Sequence, residues 1–259
     1  MVDIRKPLKK MLPYLLQAQA DSLNEADTVG RLIKVFEVVL GWDAINEIGL
    51  ETKLKNKYVD IALKIDHVTK LLIEAKAAGE KLRDRYVEQA EIYASENNYH
   101  WVVLTNGVLW NLYHLSFGEG IEYVKVFSLD FADKEKFKEN ATRLALLHMQ
   151  AIKNGEHEAF WERTAALSPE SVGRFLFDER IIAFLRREIH KSQGLLLDVE
   201  DIARAIHDLL SVDAREKIGP PKIKRHKMKK SHSVQNRSDA VDAAEAEKSE
   251  SSAIGAEAE

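Results

Sequence analysis

Hydrophobic and polar positions alternate at period two along residues 58–65 (Tyr58-Val59-Asp60-Ile61-Ala62-Leu63-Lys64-Ile65) and again along 71–76 (Leu71-Leu72-Ile73-Glu74-Ala75-Lys76). That period predicts two half-buried strands. Val59, Ile61, Leu63 and Ile65 share one face of the first, leaving Asp60 on the other. Leu71, Ile73 and Ala75 share one face of the second, so Glu74 and Lys76 project together from the opposite one. A short connection around Asp66-His67-Val68 predicts an antiparallel pair. Facing residues share a side of the sheet, so Asp60 must lie opposite Glu74 or Lys76, and pairing with Ala75 would disperse the group.

The remaining periodicity predicts helices over residues 7–19 and from Asn24 or Glu25 to Leu40. In the second helix Val29, Leu32, Ile33, Phe36, Val39 and Leu40 follow the 3.6-residue period, and Gly41 ends it. Residues 51–57 read as a lead-in to the Asp60 strand. A helix is predicted over 80–97, with Gln89 and Tyr93 one turn apart. Strands over 101–105 and 108–115 flank Asn106-Gly107, a strong hairpin signal. A strand over 122–128 and a helix over 134–151 follow. The predicted class is α/β, a mixed sheet flanked by helices. Beyond it, helices are predicted over 156–167, 169–193 and 199–212, with Ser168 and Asp198 as N-caps and Pro169 at a first helical position. The aromatic stripe Phe160, Trp161, Phe175, Phe177 and Phe184 reads as core or partner-binding surface. The expected division is a first domain over 1–153, a helical extension over 154–213, and a charged, disordered tail over 214–259.

Composition narrows the chemistry. The 259 residues are 45% hydrophobic, enough for a folded core. There is no cysteine, which excludes disulfides and thiolate metal sites. No apolar run approaches a membrane span, and residues 11–16 are too short for a secretory h-region, so a cytoplasmic protein is expected. The formal net charge is −4, but its distribution is uneven. Residues 222–230 hold six Lys or Arg, and the stretch after Asp239 is acidic. The basic run reads as a solvated linker or a non-specific phosphate contact.

Two carboxylates and an amine at one spot suit metal-assisted phosphodiester hydrolysis. Carboxylates bind a hard divalent cation, and a lysine can orient water or offset phosphate charge. Close carboxylates should also raise one another's pKa. Asp60 followed by Glu74-Ala75-Lys76 resembles the PD-(D/E)xK nuclease superfamily. Gln89-Ala90-Glu91-Ile92-Tyr93 matches its Gln-x-x-x-Tyr element. The Trp101–Tyr113 segment, with its central Thr105-Asn106-Gly107, Asn24-Glu25-Ala26-Asp27-Thr28 and Leu40-Gly41-Trp42-Asp43 resemble the N-terminal nuclease region of type I restriction R subunits. The resemblance runs over residues 20–130 with its elements in order.

What the resemblance implies is a restriction-endonuclease-like fold and a Mg2+- or Mn2+-dependent DNA endonuclease. Asp60, Glu74 and the Ala75 carbonyl would hold the metal, assisted by Glu25 from the opening helix. Glu37 is an alternative and Glu51 a weaker third. Lys76 would orient or deprotonate the attacking water, and Gln89 and Tyr93 would hold the layout. Full R subunits also carry a translocating ATPase, and this chain has no Gly-x-x-x-x-Gly-Lys-Ser/Thr loop. It would then act alone or with a protein supplying DNA recognition or translocation. The competing expectation is a catalytically silent nuclease-fold module that binds nucleic acid or a protein partner.

Overall fold

The computed structural model describes residues 2–54, 57–88, 94, 97–118 and 120–225, with the backbone alone at 51–54, 57 and 58. The described chain forms two compact units that divide at Ser168/Pro169. No described helix is long and apolar enough to cross a membrane.

The first unit opens with α1 (Arg5–Ala20) and α2 (Glu25–Val38). The Asn24 side chain caps α2 by accepting from the Asp27 N–H. Leu32, Val35 and Phe36 fall on its inner face and are fully buried. Gly41 then takes a left-handed φ of 72°. A Cβ there would lie 2.8 Å from the His148 ring, so both the backbone and the packing require glycine.

Six strands follow: β1 (Ile48–Leu54), β2 (Lys57–Ile65), β3 (Val68–Ala75), β4 (Trp101–Thr105), β5 (Leu109–Phe117) and β6 (Ile121–Asp130). They form one sheet in chain order. Every neighbouring pair is antiparallel except β3–β4, which is parallel. This is the expected α/β mixed sheet, with one strand more than the pattern predicts. Residues 51–54, read as a lead-in, belong to β1.

The strands were expected to be half-buried, and they are covered on both faces. Ile61, Leu63, Leu71, Ile73 and Val103 pack with Leu8, Leu32 and Phe36 of α1 and α2. On the other face Ala62, Leu72, Val102, Leu104 and Tyr113 pack with Val87 and Ala94. A parallel pair needs cover on both sides, and the chain between β3 and β4 supplies it. Its described part includes a 3-10 turn at Asp84–Tyr86, within the span predicted as a helix over 80–97. Gln89 and Tyr93 lie outside the described residues.

The helix predicted over 134–151 is broken in the structure. It comprises α3 (Phe137–Leu144), a 3-10 turn (Ala145–Leu147) and α4 (Met149–Lys153). Tertiary partners take the backbone groups at the break. The Trp42 indole donates to the Leu147 carbonyl at 3.0 Å, and the Met149 N–H donates to the Leu40 carbonyl at 2.9 Å. Next, α5 (Glu156–Ala166) sets Phe160 and Trp161 against the sheet core. The first unit thus extends one helix past the expected boundary at 153.

The second unit holds α6 (Pro169–Leu176), α7 (Glu179–Gln193), α8 (Val199–Leu209) and α9 (Val212–Ile218). The single helix predicted over 169–193 divides at Asp178, whose side chain caps α7 by accepting from the Arg180 N–H. Asp198 stands at the N-cap of α8 without a side-chain cap bond. Phe177, Ile182, Ile202 and Ala203 form the small core of this unit. The expected disorder from 214 is contradicted as far as Arg225. Residues 212–218 are helical, and the Lys224 backbone pairs with Phe177 and Glu179. Residues 226–259 lie outside the described residues.

Candidate active site

β2 and β3 pair with Ile61 opposite Ile73 and Ala62 opposite Leu72. Continued one step, this register would set Asp60 opposite Glu74, one of the two positions the sequence expectation allows. Asp60 also reaches across the strand gap: its Oδ2 accepts from the Ala75 N–H at 2.7 Å. Glu74 and Lys76, two apart on an extended backbone, point the same way. The Lys76 ammonium lies 2.6 Å from Glu74 Oε1 and 3.5 Å from Glu25 Oε2.

Backbone ties bring these groups together. The Lys76 N–H donates to the Thr105 carbonyl at the end of β4, which holds the chain in line just past β3. The Ala78 N–H donates to the Leu23 carbonyl, so the segment after Lys76 is fastened to the loop that opens α2. Glu25, in the first turn of α2, therefore reaches Lys76. Glu37, on the last turns of the same helix, is paired with Lys34 instead. Of the two helical candidates the structure brings in Glu25. The Glu51 side chain lies outside the described residues.

Glu74 and Lys76 are only 6% and 8% exposed, while the Glu25 side chain is 49% exposed. The site is thus a buried ion pair with one carboxylate at its open edge. Burial pushes the Glu74 carboxyl up to about 7; the Lys76 hydrogen bond opposes this, and the Asp60 and Glu25 charges reinforce it. Mutual repulsion was the expected cause, and desolvation is the larger one. Burial works against the Lys76 ammonium, but the Glu74, Glu25 and Asp60 charges outweigh it and hold its pKa above the ordinary value. Lys76 is therefore a resident cation.

Three residues that the sequence reading did not assign to the site support it. Asn106 donates through Nδ2 to the Glu80 carbonyl at 2.9 Å, while its Oδ1 accepts from the Val108 and Leu109 N–H groups. Tyr86 places its ring 5.5 Å from the Lys76 ammonium and donates its hydroxyl to Glu80. Thr105-Asn106-Gly107 was legible as a turn, but not as the clamp on the segment after Lys76.

Residues 43–127 match the family described as "Type I restriction enzyme R protein N terminus (HSDR_N)". That segment, about a third of the chain, is similar to the N terminus of type I restriction enzyme R proteins. Asp60, Glu74, Ala75, Lys76, Gln89 and Tyr93 fall inside it; Glu25 falls outside. A similarity is also found to the crystal structure of the type IIG restriction endonuclease BpuSI, at 17% identity and a TM-score of 0.36. It covers 73% of this chain, which spans a quarter of that protein's length. No curated protein matches.

The oxygen donors Asp60, Glu74 and Glu25 suit a hard divalent cation in kind. Among the described residues, no three His, Asp or Glu side chains are grouped to hold a metal as they stand. The arrangement can neutralise a phosphate through Lys76 and offer carboxylates to a cation beside it.

Proposed function

We propose that this chain is a Mg2+- or Mn2+-dependent DNA endonuclease built on a restriction-system nuclease module. The observation that carries the reading is the buried Glu74–Lys76 pair with the Asp60 carboxylate accepting from the Ala75 N–H across the adjacent strand, inside the segment similar to the N terminus of type I restriction R proteins. Burying such a pair gains little stability over an apolar one, so a fold with no use for the charges would pack hydrocarbon there. Asp60 and Glu74, with the Ala75 carbonyl and Glu25, would hold the cation. When bound, the cation would supply Lewis-acid stabilisation of the phosphate and a more acidic water. The Asp60 carboxylate is oriented by the Ala75 N–H. Lys76 neutralises charge on the phosphate and orients the attacking water. Gln89 and Tyr93 are proposed to hold the layout. DNA is the substrate class, and a protein partner would supply recognition or translocation.

A catalytically silent binding module is the second reading. It is favoured by the contact in which Lys76 already occupies Glu74. One experiment separates the two. Purified protein is incubated with supercoiled plasmid and Mg2+ or Mn2+, beside Asp60→Asn, whose amide oxygen can still accept from the Ala75 N–H. Metal-dependent nicking that falls at least about 100-fold in Asp60→Asn is expected, since even outer-shell partners of a metal ligand are worth about 10–100-fold. No nicking by the wild type, or equal nicking by the variant, sinks the catalytic reading.

A further inference from the structure

We propose that the helical unit carries its own site for the phosphates of a nucleic-acid backbone, formed by Arg174, Lys217 and Lys222. The three side chains line a cavity of about 440 Å3 whose apolar wall includes Phe177 and Ile218.

The local packing builds this convergence. Gly173 has no side chain, and Ile218 fills the place a Cβ would take, with its Cδ1 2.6 Å from that position. The close approach sets the end of α9, with Lys217, beside Arg174 on α6. The Lys224 N–H donates to the Phe177 carbonyl, and the Glu179 N–H donates to the Lys224 carbonyl. Those two bonds pin the chain two residues beyond Lys222.

The cavity gathers three cations that the unit leaves without a carboxylate partner. Arg180, Arg187, Lys191, Arg204, Arg215 and Arg225 are each paired with a carboxylate. Among the described residues, Arg174, Lys217 and Lys222 have no carboxylate partner, as is also true of Arg186 and Lys224, and all three are exposed and line one cavity. Glu170 is the one carboxylate of the lining. A planar guanidinium beside two mobile ammonium groups is the donor set a phosphate diester takes. Lys222 also opens the run of six cations over residues 222–230, so the cavity is continuous in sequence with further positive charge.

The identification of the polyanion as DNA rests on the nuclease reading; the phosphate site does not depend on cleavage. The test uses the full chain, a short labelled DNA duplex and EDTA, with binding followed by fluorescence anisotropy across a salt series. Arg174→Ala/Lys217→Ala/Lys222→Ala should weaken binding at least about ten-fold, and its log–log salt slope should fall by about 2–3, near 0.9 per lost phosphate contact. Arg187→Ala/Lys191→Ala/Arg204→Ala, which removes three paired cations, should leave slope and affinity within about two-fold. Equal slopes for wild type and the first variant, or equal losses in both variants, would overturn the proposal. Binding to phosphatidylserine vesicles, or to inorganic phosphate, with no binding of DNA would overturn it as well. An absence of metal-dependent cleavage by the wild type, alongside DNA binding that the triple variant weakens, fails the cleavage reading alone.

Discussion

At Glu74 and Lys76, burial and charge oppose each other. Each side chain is about nine-tenths covered, so neither is screened, and each makes the other tolerable. Replacing Lys76 by Ala leaves Glu74 with Asp60 and Glu25 as charged neighbours and no cation beside it. The expected cost is about 3 kcal/mol, because a buried charge loses its partner. The pH dependence follows from the raised Glu74 pKa. The folded carboxyl binds its proton more tightly than the unfolded one, whose ordinary value is 4.5. Stability is therefore present at low pH and is lost as pH rises toward the folded value. In Lys76→Ala that value moves further up, so urea denaturation should show a larger loss at pH 8 than at pH 5.5. Equal losses at the two pH values would mean that Glu74 does not respond to the lysine.

Among the elements, the β4–β5 hairpin connects fold and site. Its turn was legible from Asn106-Gly107, where Gly107 adopts a φ of 91°. The use made of Asn106 was not legible, because it depends on the return of residue 80 from a separate part of the chain. Asn106→Ala removes bonds to the Val108 and Leu109 N–H groups and to the Glu80 carbonyl. Buried backbone groups left without partners cost about 1–3 kcal/mol, so a loss of roughly 2–3 kcal/mol is expected in denaturant melts. Activity should fall with it, since the segment after Lys76 loses an anchor. A variant that melts like the wild type would remove Asn106 from this role. The broken helices follow the same logic. Sequence periodicity carried the pattern through His148 and Asp178, but the Trp42 indole, the Leu40 carbonyl and the Asp178 cap take backbone groups that a continuous helix would keep.

Over the whole molecule, His114, His148 and His157 all have pKa values lowered from the ordinary 6.5, chiefly by burial. Glu158 opposes this at His114 and His157, and Glu156 opposes it at His148. Below about pH 6.5 the unfolded chain takes up protons that the folded one refuses, so stability falls as pH falls. Glu74 acts in the opposite sense over the same range, so the check is the difference between proteins: thermal melts between pH 7.5 and 5 should show His157→Gln losing less stability on acidification than the wild type. Equal pH dependence in the two would contradict the burial of the His157 ring. The proposed divalent cation would act at the other end of the sheet. If Asp60 and Glu74 hold it, millimolar Mg2+ or Mn2+ should raise the melting temperature by mass action, and Asp60→Asn should abolish the rise. No rise in the wild type would favour the silent module.

The sequence alone determined the period-two strands, the face shared by Asp60, Glu74 and Lys76, the hairpin at Asn106-Gly107 and the α/β class. All of these follow from local periodicity and turn chemistry, which act over a few residues. The tertiary structure decided what local pattern cannot carry. It covered both faces of the sheet, so charges that alternate like a solvated strand are buried. It chose Glu25 over Glu37, because the Ala78–Leu23 bond fastens the opening turn of α2 to the segment after Lys76. It also brought Arg174, Lys217 and Lys222 around one cavity through a glycine whose missing side chain lets two helices touch. Each of these depends on residues far apart in the chain meeting through packing and backbone hydrogen bonds, and no short-range pattern encodes such a meeting.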